Sequence, residues 1–380
     1  MGNISTLPST KERGRFYRPE LDIVRLLAFL AVFSTHSSRP SGDAFYTYRI
    51  IADAGNFGLS LFFVLSAFLI STLLLREKDI AKTVSIQNFY RRRILRIWPL
   101  YFLALAFAAF WSFRLGHLGT EKWWFLAALV MGGNIVQWPG NLAGHLWSIS
   151  VEEQFYVVWP SAVRFLNRRN LARLALLIVI GANAALIYYG IKGIPQEQAW
   201  GNTLVQFESF AAGTLLALLV ESPRTWPSTF WLRIPLALAV PFIWYAVVRY
   251  LRIKEDGIRT VGPASLCLGY VLVSASSCLL IYALLGSTRW PRLAVYLGKI
   301  SYGLYVLHIP ALYFVNNCLH QVSPFLRRPL ALLLTVILAT ISYRFFESPF
   351  LRLKQRFEIV PSRPVESESV PKTKSIATPD

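Results

Sequence analysis

Charge is scarce in this sequence: only 16% of its 380 residues are Asp, Glu, Lys or Arg, and acidic residues are the scarcer sign, 20 against 39 basic ones. A water-soluble globule of this length needs more polar surface than that, whereas 54% apolar residues and a mean hydropathy of +0.45 suit a chain whose solvent is the bilayer. Cysteine is rarer still, with Cys267, Cys278 and Cys318 all inside apolar stretches. Cys267 and Cys278 fall on one predicted helix about 16 Å apart, which excludes a disulfide between them. The three thiols read as small apolar side chains. No internal repeat is visible. The net charge of +19 would admit a nucleic-acid partner, but the basic residues are spread over many loops rather than gathered in one soluble domain. Membrane topology and anionic lipid account for it better, and no nucleic acid is expected as a partner.

Long hydrophobic runs are abundant. Stretches long enough to cross the hydrocarbon recur at 21–37, 54–75, 94–113, 149–166, 171–190, 203–220, 234–250, 264–285, 296–316 and 327–345. The reading is an all-α polytopic membrane protein of about ten transmembrane helices. A shorter run at 123–136 is read as re-entrant or interfacial, because an eleventh crossing would invert everything after it. With the N-terminus in the cytoplasm, Lys11, Arg13, Arg15 and Arg18, the arginines of the 76–96 loop, Arg164, Arg168, Arg169 and Arg173 all lie inside, and the even count returns the C-terminus there. The outside segment at 249–259 is the main exception.

Three regions follow: a cytoplasmic N-terminal segment (1–20), a transmembrane domain (21–350), and a cytoplasmic tail (351–380), largely disordered by its content of Pro, Ser, Thr and charge. The first apolar stretch has the outline of a signal peptide but no small-residue cleavage site, so retention is expected. That stretch also carries Arg25 and His36, eleven steps and roughly 16 Å apart along a helix. Ionisable side chains in a membrane segment are costly, about 2.5–3.5 kcal/mol for a central Arg on insertion scales, and so point to a partner or a task.

Five segments carry a family resemblance: RPELDIVRLLAFLAVFSTH at 18–36, LSLFFVLSAFLIS at 59–71, FYRRRILRIWP at 89–99, HLWSISVEEQFYVVWP at 145–160 and GKISYGLYVLHIP at 298–310. Together, and in this order, they resemble the acyltransferase-3 family of bacterial integral-membrane enzymes, which move acyl groups, commonly acetyl from acetyl-CoA, onto hydroxyls of sugars and related acceptors. The similarity runs from residue 18 to the YRFFESPF segment at 343–350. It implies residence in the bacterial inner membrane, acyl-CoA as co-substrate with no permanently bound cofactor or metal, and a carbohydrate or glycan acceptor.

The resemblance further implies that Arg25 and His36 form the family's arginine–histidine pair, both needed for activity. Chemistry agrees: a sugar hydroxyl is a poor nucleophile at neutral pH, and an imidazole positioned to take its proton typically contributes about 10²–10⁴-fold. His36 is the candidate general base. Arg25 is also placed to pair with Asp22, three residues earlier, and the two roles are compatible. Glu152 and Glu153 fall at the start of a predicted span, where carboxylates suit a helix N-terminus. One of them, Glu152 by weak preference, is the candidate to hold the second ring nitrogen of His36, as a carboxylate does in hydrolase triads. His145 and Trp147 are read as shaping the acceptor mouth, with an interfacial belt equally open for Trp147.

Arg91, Arg92, Arg93 and Arg96 match the family's basic segment at the entry to the third span. Positive-inside anchoring explains them as well as CoA does, but the diphosphate and ribose phosphate of CoA are what guanidinium groups bind bidentately. Acyl-CoA would then dock from the cytoplasm with its thioester directed past Arg25 toward His36. Direct attack by the hydroxyl and an acyl-histidine intermediate both remain open. The second segment departs from the family pattern at Ser60, usually acidic, and at Ala67, usually glycine. His308 is read as packing or interfacial rather than catalytic, and Ser66 and Ser301 as helix-to-helix hydrogen bonds. Membrane lipid is the remaining partner. The alternative class is a transporter of a glycan or lipid-linked sugar, with Gly132-Gly133 breaking a helix along its path.

Overall fold

The computed structural model describes residues 17–37, 45–136, 140–220, 230–255, 258–287 and 289–360, which are helical and free of strands. The helices are α1 (Pro19–His36), α2 (Tyr46–Ala54), α3 (Phe57–Ala81), α4 (Ile86–Arg114), α5 (Leu118–Leu129), α6 (Trp147–Phe165), α7 (Arg168–Lys192), α8 (Gln196–Gly201), α9 (Thr203–Leu219), α10 (Phe230–Leu251), α11 (Pro263–Leu284), α12 (Arg292–Lys299), α13 (Ser301–Cys318), α14 (Pro324–Ile341) and α15 (Ser348–Gln355). Their ends follow local chemistry. Helix α1 starts with Pro19 and has Glu20 and Asp22 in its first turn, where the missing N–H costs nothing and negative charge meets the positive end of the dipole. The side chains of Ser85, Asn167 and Asn202 accept backbone N–H groups at the starts of α4, α7 and α9. Gly193 closes α7 in the left-handed region.

All ten predicted apolar stretches are helical. Among the described residues, six helical segments are long and apolar enough to cross a membrane: 46–81, 86–114, 168–192, 231–251, 263–284 and 325–355. Two details differ from the sequence reading. The stretch 296–316 is interrupted at Ile300, so amphipathic α12 and apolar α13 are separate helices. And the boundary drawn at 350/351 falls inside α15, which a π-helical turn at Ser342–Glu347 joins to α14 and which packs on α4. Residues 1–16 and 361–380, which hold most of the two predicted terminal segments, lie outside the described residues. Helix α5 ends after 12 residues, roughly 18 Å, short of a hydrocarbon core about 30 Å thick.

Helix α3 is central, packed by α1, α6, α9 and α11. Small residues let the backbones close up. A side chain at Gly213 of α9 would collide with the Val64 carbonyl of α3, and one at Gly298 of α12 with the Asp22 carbonyl of α1. Ala67, which departs from the family's glycine, is fully buried opposite Gly213 of the facing helix. The outer faces are apolar: Leu103, Phe107, Phe110 and Phe113 of α4 and Leu177, Ile180 and Ile187 of α7 are all exposed, as lipid-facing surfaces require.

Candidate active site

One face of α3 lines a long cavity, through Leu59, Phe62, Ser66, Leu69, Leu73 and Glu77. Eighteen helical steps separate Leu59 from Glu77, about 27 Å, close to the hydrocarbon thickness. The other walls come from α1 (Leu21, Arg25), α4 (Arg92, Arg93, Arg96), α6 (Ser148, Glu152, Tyr156) and α13 (Ser301, Tyr302, Tyr305).

The mouth is basic. The start of α1, the end of α3, the start of α4 and the segment around α15 meet here, bringing Arg18, Glu77, Arg92, Arg93, Arg96, Lys354 and Glu358 together. Arg92 is held at 3.1 Å by Glu77 and donates to the Phe357 carbonyl at 2.8 Å. Arg93 lies over the rings of Tyr156 and Phe89, 4.9 and 5.4 Å from their centroids. Arg93 and Arg96 share the cavity face, as their spacing predicts. Arg91, the fourth of the predicted set, instead lies over the Phe357 ring at 5.2 Å and is not part of the lining. Burial pulls the Arg18 guanidinium below its ordinary value, with Glu20 at 3.5 Å opposing the shift.

Farther in, Arg25 lines the wall and is ion-paired with buried Asp22, so the structural pairing and the cavity position coexist. The glutamates part company because neighbouring residues on a helix point about 100° apart. Glu152 faces the cavity, where one carboxylate oxygen accepts from both Ser66 Oγ and Tyr156 OH. Glu153 faces away, with Oε2 accepting from Trp98 Nε1 at 3.2 Å and Oε1 buried without a hydrogen-bond partner. Neither caps a helix, because a 3-10 turn (Gly144–Leu146) leads directly into Trp147 and both lie beyond the first turn of α6. The described contacts of Glu152 go to Ser66 and Tyr156, and the expected pairing with His36 is not among them.

His36 stands exposed at the far end of α1, beyond the residues that line the cavity. Its Nδ1 is 3.0 Å from the Val32 carbonyl, which can only accept, so in the neutral ring Nδ1 carries the hydrogen and Nε2 presents a lone pair. The His308 ring lies against it, with centroids 5.2 Å apart, and the His145 centroid lies 4.9 Å from that of His308. His145 is therefore an interior residue: its Nε2 donates to the Val306 carbonyl at 3.2 Å, and Trp147 beside it is buried as well. The Tyr305 ring packs on both His145 and His308, at 5.5 Å from each, and its hydroxyl bonds Ser148 at the inner end of the cavity. Ring contacts thus run from Phe62 and Tyr305, which line the cavity, through His145 and His308 to His36.

Sequence reasoning missed these ring contacts and the Ser66–Glu152–Tyr156 cluster. The available signal for the cluster was the four-residue spacing of Glu152 and Tyr156 on one helix face. Gly132-Gly133, which the transporter reading gives to a translocation path, is used for packing: the Gly133 N–H donates to Ser150 Oγ at 3.1 Å, and its carbonyl accepts from Trp124 Nε1 at 2.9 Å. Among the described residues, no group of three or more His, Cys, Asp or Glu side chains is arranged to hold a metal ion.

A relative from Bacillus subtilis (strain 168) named "Putative peptidoglycan O-acetyltransferase YrhL" is 27% identical over 365 residues, covering 88% of this chain and 55% of the relative. O-acetyltransferase OatA of Staphylococcus aureus (strain NCTC 8325 / PS 47) is 25% identical over 369 residues, covering 88% of this chain and 57% of that protein. The chain thus spans little more than half the length of the curated relatives it matches. No solved structure matches it. A family model described as "Acyltransferase domain" matches residues 18–344, from the start of α1 into the π-helical turn, and the chain therefore belongs to the acyltransferase-3 family.

Proposed function

We propose that the protein is a multi-pass membrane O-acyltransferase that takes an acyl group, acetyl, from acyl-CoA at the basic mouth and delivers it to a hydroxyl of a carbohydrate of the cell-wall type. The observation that carries this reading is the cavity itself, which runs along about 27 Å of α3 from three arginines at its mouth to Ser148 and Tyr305 at its inner end. Arg92, Arg93 and Arg96 suit the phosphates of CoA. The apolar wall of Leu69, Ile70 and Leu73 suits an alkyl arm, and Ser66, Glu152 and Tyr156 lie along its course. Acetyl is favoured over longer chains by the O-acetyltransferase names of the relatives.

The chemistry asked of the far end is modest. His36 takes the proton of the acceptor hydroxyl through Nε2, with Nδ1 fixed by Val32, while the oxygen attacks the thioester carbonyl. Ten membrane crossings with both termini cytoplasmic put the basic mouth on the cytoplasmic side of the bacterial inner membrane, where acyl-CoA is made. His36 then lies at the opposite side, toward the glycan. Antiparallel chain direction supports this: α1 and α4 leave the mouth, while α3 returns to it.

The test uses purified protein in lipid nanodiscs with acetyl-CoA carrying a labelled acetyl group and a peptidoglycan fragment preparation as acceptor. Wild type is expected to release thiol and transfer label, and His36→Ala is expected to bind acetyl-CoA normally with transfer lowered by about 10²–10⁴-fold. A folded wild type that neither binds acetyl-CoA nor releases thiol would refute the reading.

A further inference from the structure

Segment 249–259 breaks the positive-inside pattern with Arg249, Arg252, Lys254 and Arg259, and the transfer as written gives it no task. The structure joins this segment to the end of the bundle that carries His36. Helix α2 follows that histidine in the chain and is seated on the last turns of α1. A side chain at Gly55, which closes α2, would collide with the Ala31 carbonyl and with Ser34 Oγ. The end of α10 and the start of α14 then meet α2 through arginines on tyrosine rings. Arg249 Cζ lies 5.9 Å from the centroid of Tyr46 and 5.5 Å from that of Tyr250, and Arg49 Cζ lies 6.0 Å from Tyr46. Arg328 of α14 lies over Tyr48 at 4.7 Å. Tyr46 and Tyr250 are exposed, so the cluster faces outward.

A guanidinium over a ring keeps N–H groups for a second, anionic partner. Glu255 shows the chemistry: one carboxylate oxygen accepts from Tyr46 OH at 3.1 Å, and the other lies 3.6 Å from Arg252 Nε. That carboxylate answers Arg252, and Arg49 and Arg249 add two more positive charges around the same Tyr46 ring. The segment is also fixed in shape. Arg252 and Lys254 have φ of 59° and 62°, a conformation that non-glycine residues hold only when their surroundings impose it. The imposing contacts are Ile253, buried at 1% exposure, and the Lys254 N–H, which donates to buried Gln196 Oε1 at 2.7 Å. Anionic lipid asks only for diffuse positive charge near the surface. A fixed loop, exposed rings and paired guanidinium groups beside the end that carries His36 suit a ligand of defined shape.

We propose that Arg49 and Arg249, with Tyr46 and Tyr250, form the acceptor-binding site, and that the acceptor is an acidic glycan held there by a carboxylate. The inference rests on the acyltransferase reading, in which the acceptor hydroxyl meets His36. The guanidinium groups take the carboxylate, and the tyrosine rings take the apolar faces of the sugars. Positive charge at this end also raises the local concentration of an anionic acceptor.

The test measures acceptor KM and kcat for wild type, Arg249→Gln and Arg249→Lys in phosphatidylcholine nanodiscs with and without phosphatidylglycerol. The acceptors are peptidoglycan fragments, native or with their carboxyls amidated, and the donor is labelled acetyl-CoA. Arg249→Gln is expected to raise KM for native fragments about tenfold, with kcat within about twofold of wild type and acetyl-CoA affinity unchanged. Arg249→Lys, which keeps the charge, is expected to recover KM to within about threefold. Amidated fragments are expected to show a KM raised about tenfold with wild type and no further rise with Arg249→Gln, because the charge that the arginine meets has gone. An unchanged KM for Arg249→Gln, an equal rise for native and amidated fragments, or thiol release with label on neither would each overturn the inference. A rise seen only with phosphatidylglycerol present would also overturn it and assign the cluster to lipid headgroups. These outcomes leave the acyltransferase reading standing, because that reading fails only when wild type neither binds acetyl-CoA nor releases thiol, and the inference then falls with it.

Discussion

Arg96 is the cleanest probe of the basic mouth. It lines the cavity, and no hydrogen bond or ion pair engages it among the described residues, although its charge acts on buried Glu347. Arg92 is a poor probe by comparison. It is tied to Glu77, which is 2% exposed and also accepts the Ser85 N–H at 2.8 Å, so losing Arg92 would strand a buried carboxylate at a cost of about 3–5 kcal/mol. A hydrogen bond to a charged group contributes about 1.5–3 kcal/mol, and each 1.4 kcal/mol is about tenfold, so Arg96→Gln should weaken acetyl-CoA binding by roughly 10–150-fold. The control is Arg168→Gln, whose exposed pair with Asp79 at 2.9 Å belongs to the same basic side of the protein. Such surface pairs contribute about 0–1 kcal/mol and carry no ligand contact here. Calorimetric titration of acetyl-CoA and of CoA into nanodisc-embedded protein reads both variants directly. Equal weakening by Arg96→Gln and Arg168→Gln would reduce the effect to bulk positive charge, and affinity within twofold of wild type for Arg96→Gln would remove the phosphates from this mouth.

Two further outcomes follow from the packing. Gly298→Val places a branched side chain against the Asp22 carbonyl and should destabilise the α12–α1 contact by about 1–3 kcal/mol, visible as a lowered unfolding midpoint in detergent, whereas a midpoint unchanged from wild type would mean that α12 is not seated on α1. Glu152→Gln should cost about tenfold in turnover by weakening the bonds to Ser66 and Tyr156, in contrast to the drop of about 10⁴ that follows loss of the orienting carboxylate in a serine-protease triad. Steady-state kcat separates these two magnitudes, and a 10⁴-fold loss would return Glu152 to His36.

The helices were readable because hydropathy reports each one locally. Arg25 and His36 were readable for the same reason, since an ionisable residue stands out in an apolar run whatever surrounds it. Where the sequence reading stopped, the missing information lay between helices. The break at Ile300 escaped notice because 296–316 is mostly apolar, while the separate seating of α12 depends on Gly298 meeting the Asp22 backbone. The capping role for Glu152 and Glu153 failed because the predicted span began at 149, two residues after the helix and beyond the 3-10 turn that feeds it. Lys354 and Glu358 sit at the mouth although the polar composition around them reads as a tail.

The partner of His36 illustrates the same limit in chemical terms. A triad-like carboxylate is the natural expectation for a catalytic imidazole, and SVEEQFY supplies two candidates at a plausible depth. Depth along one helix leaves the direction of each side chain undetermined until the neighbouring helices are placed, and α6 turns Glu152 into the cavity and Glu153 toward Trp98. What meets His36 instead comes from α13. His308 lies one position before Ile309-Pro310 in a segment that reads as ordinary apolar helix, and its contact with His145 is made only across the bundle. A single buried histidine on an apolar face is usually a packing residue with one satisfied nitrogen. Two in contact, each with one ring nitrogen bound to a backbone carbonyl, extend that packing from His36 toward Tyr305 at the inner end of the cavity.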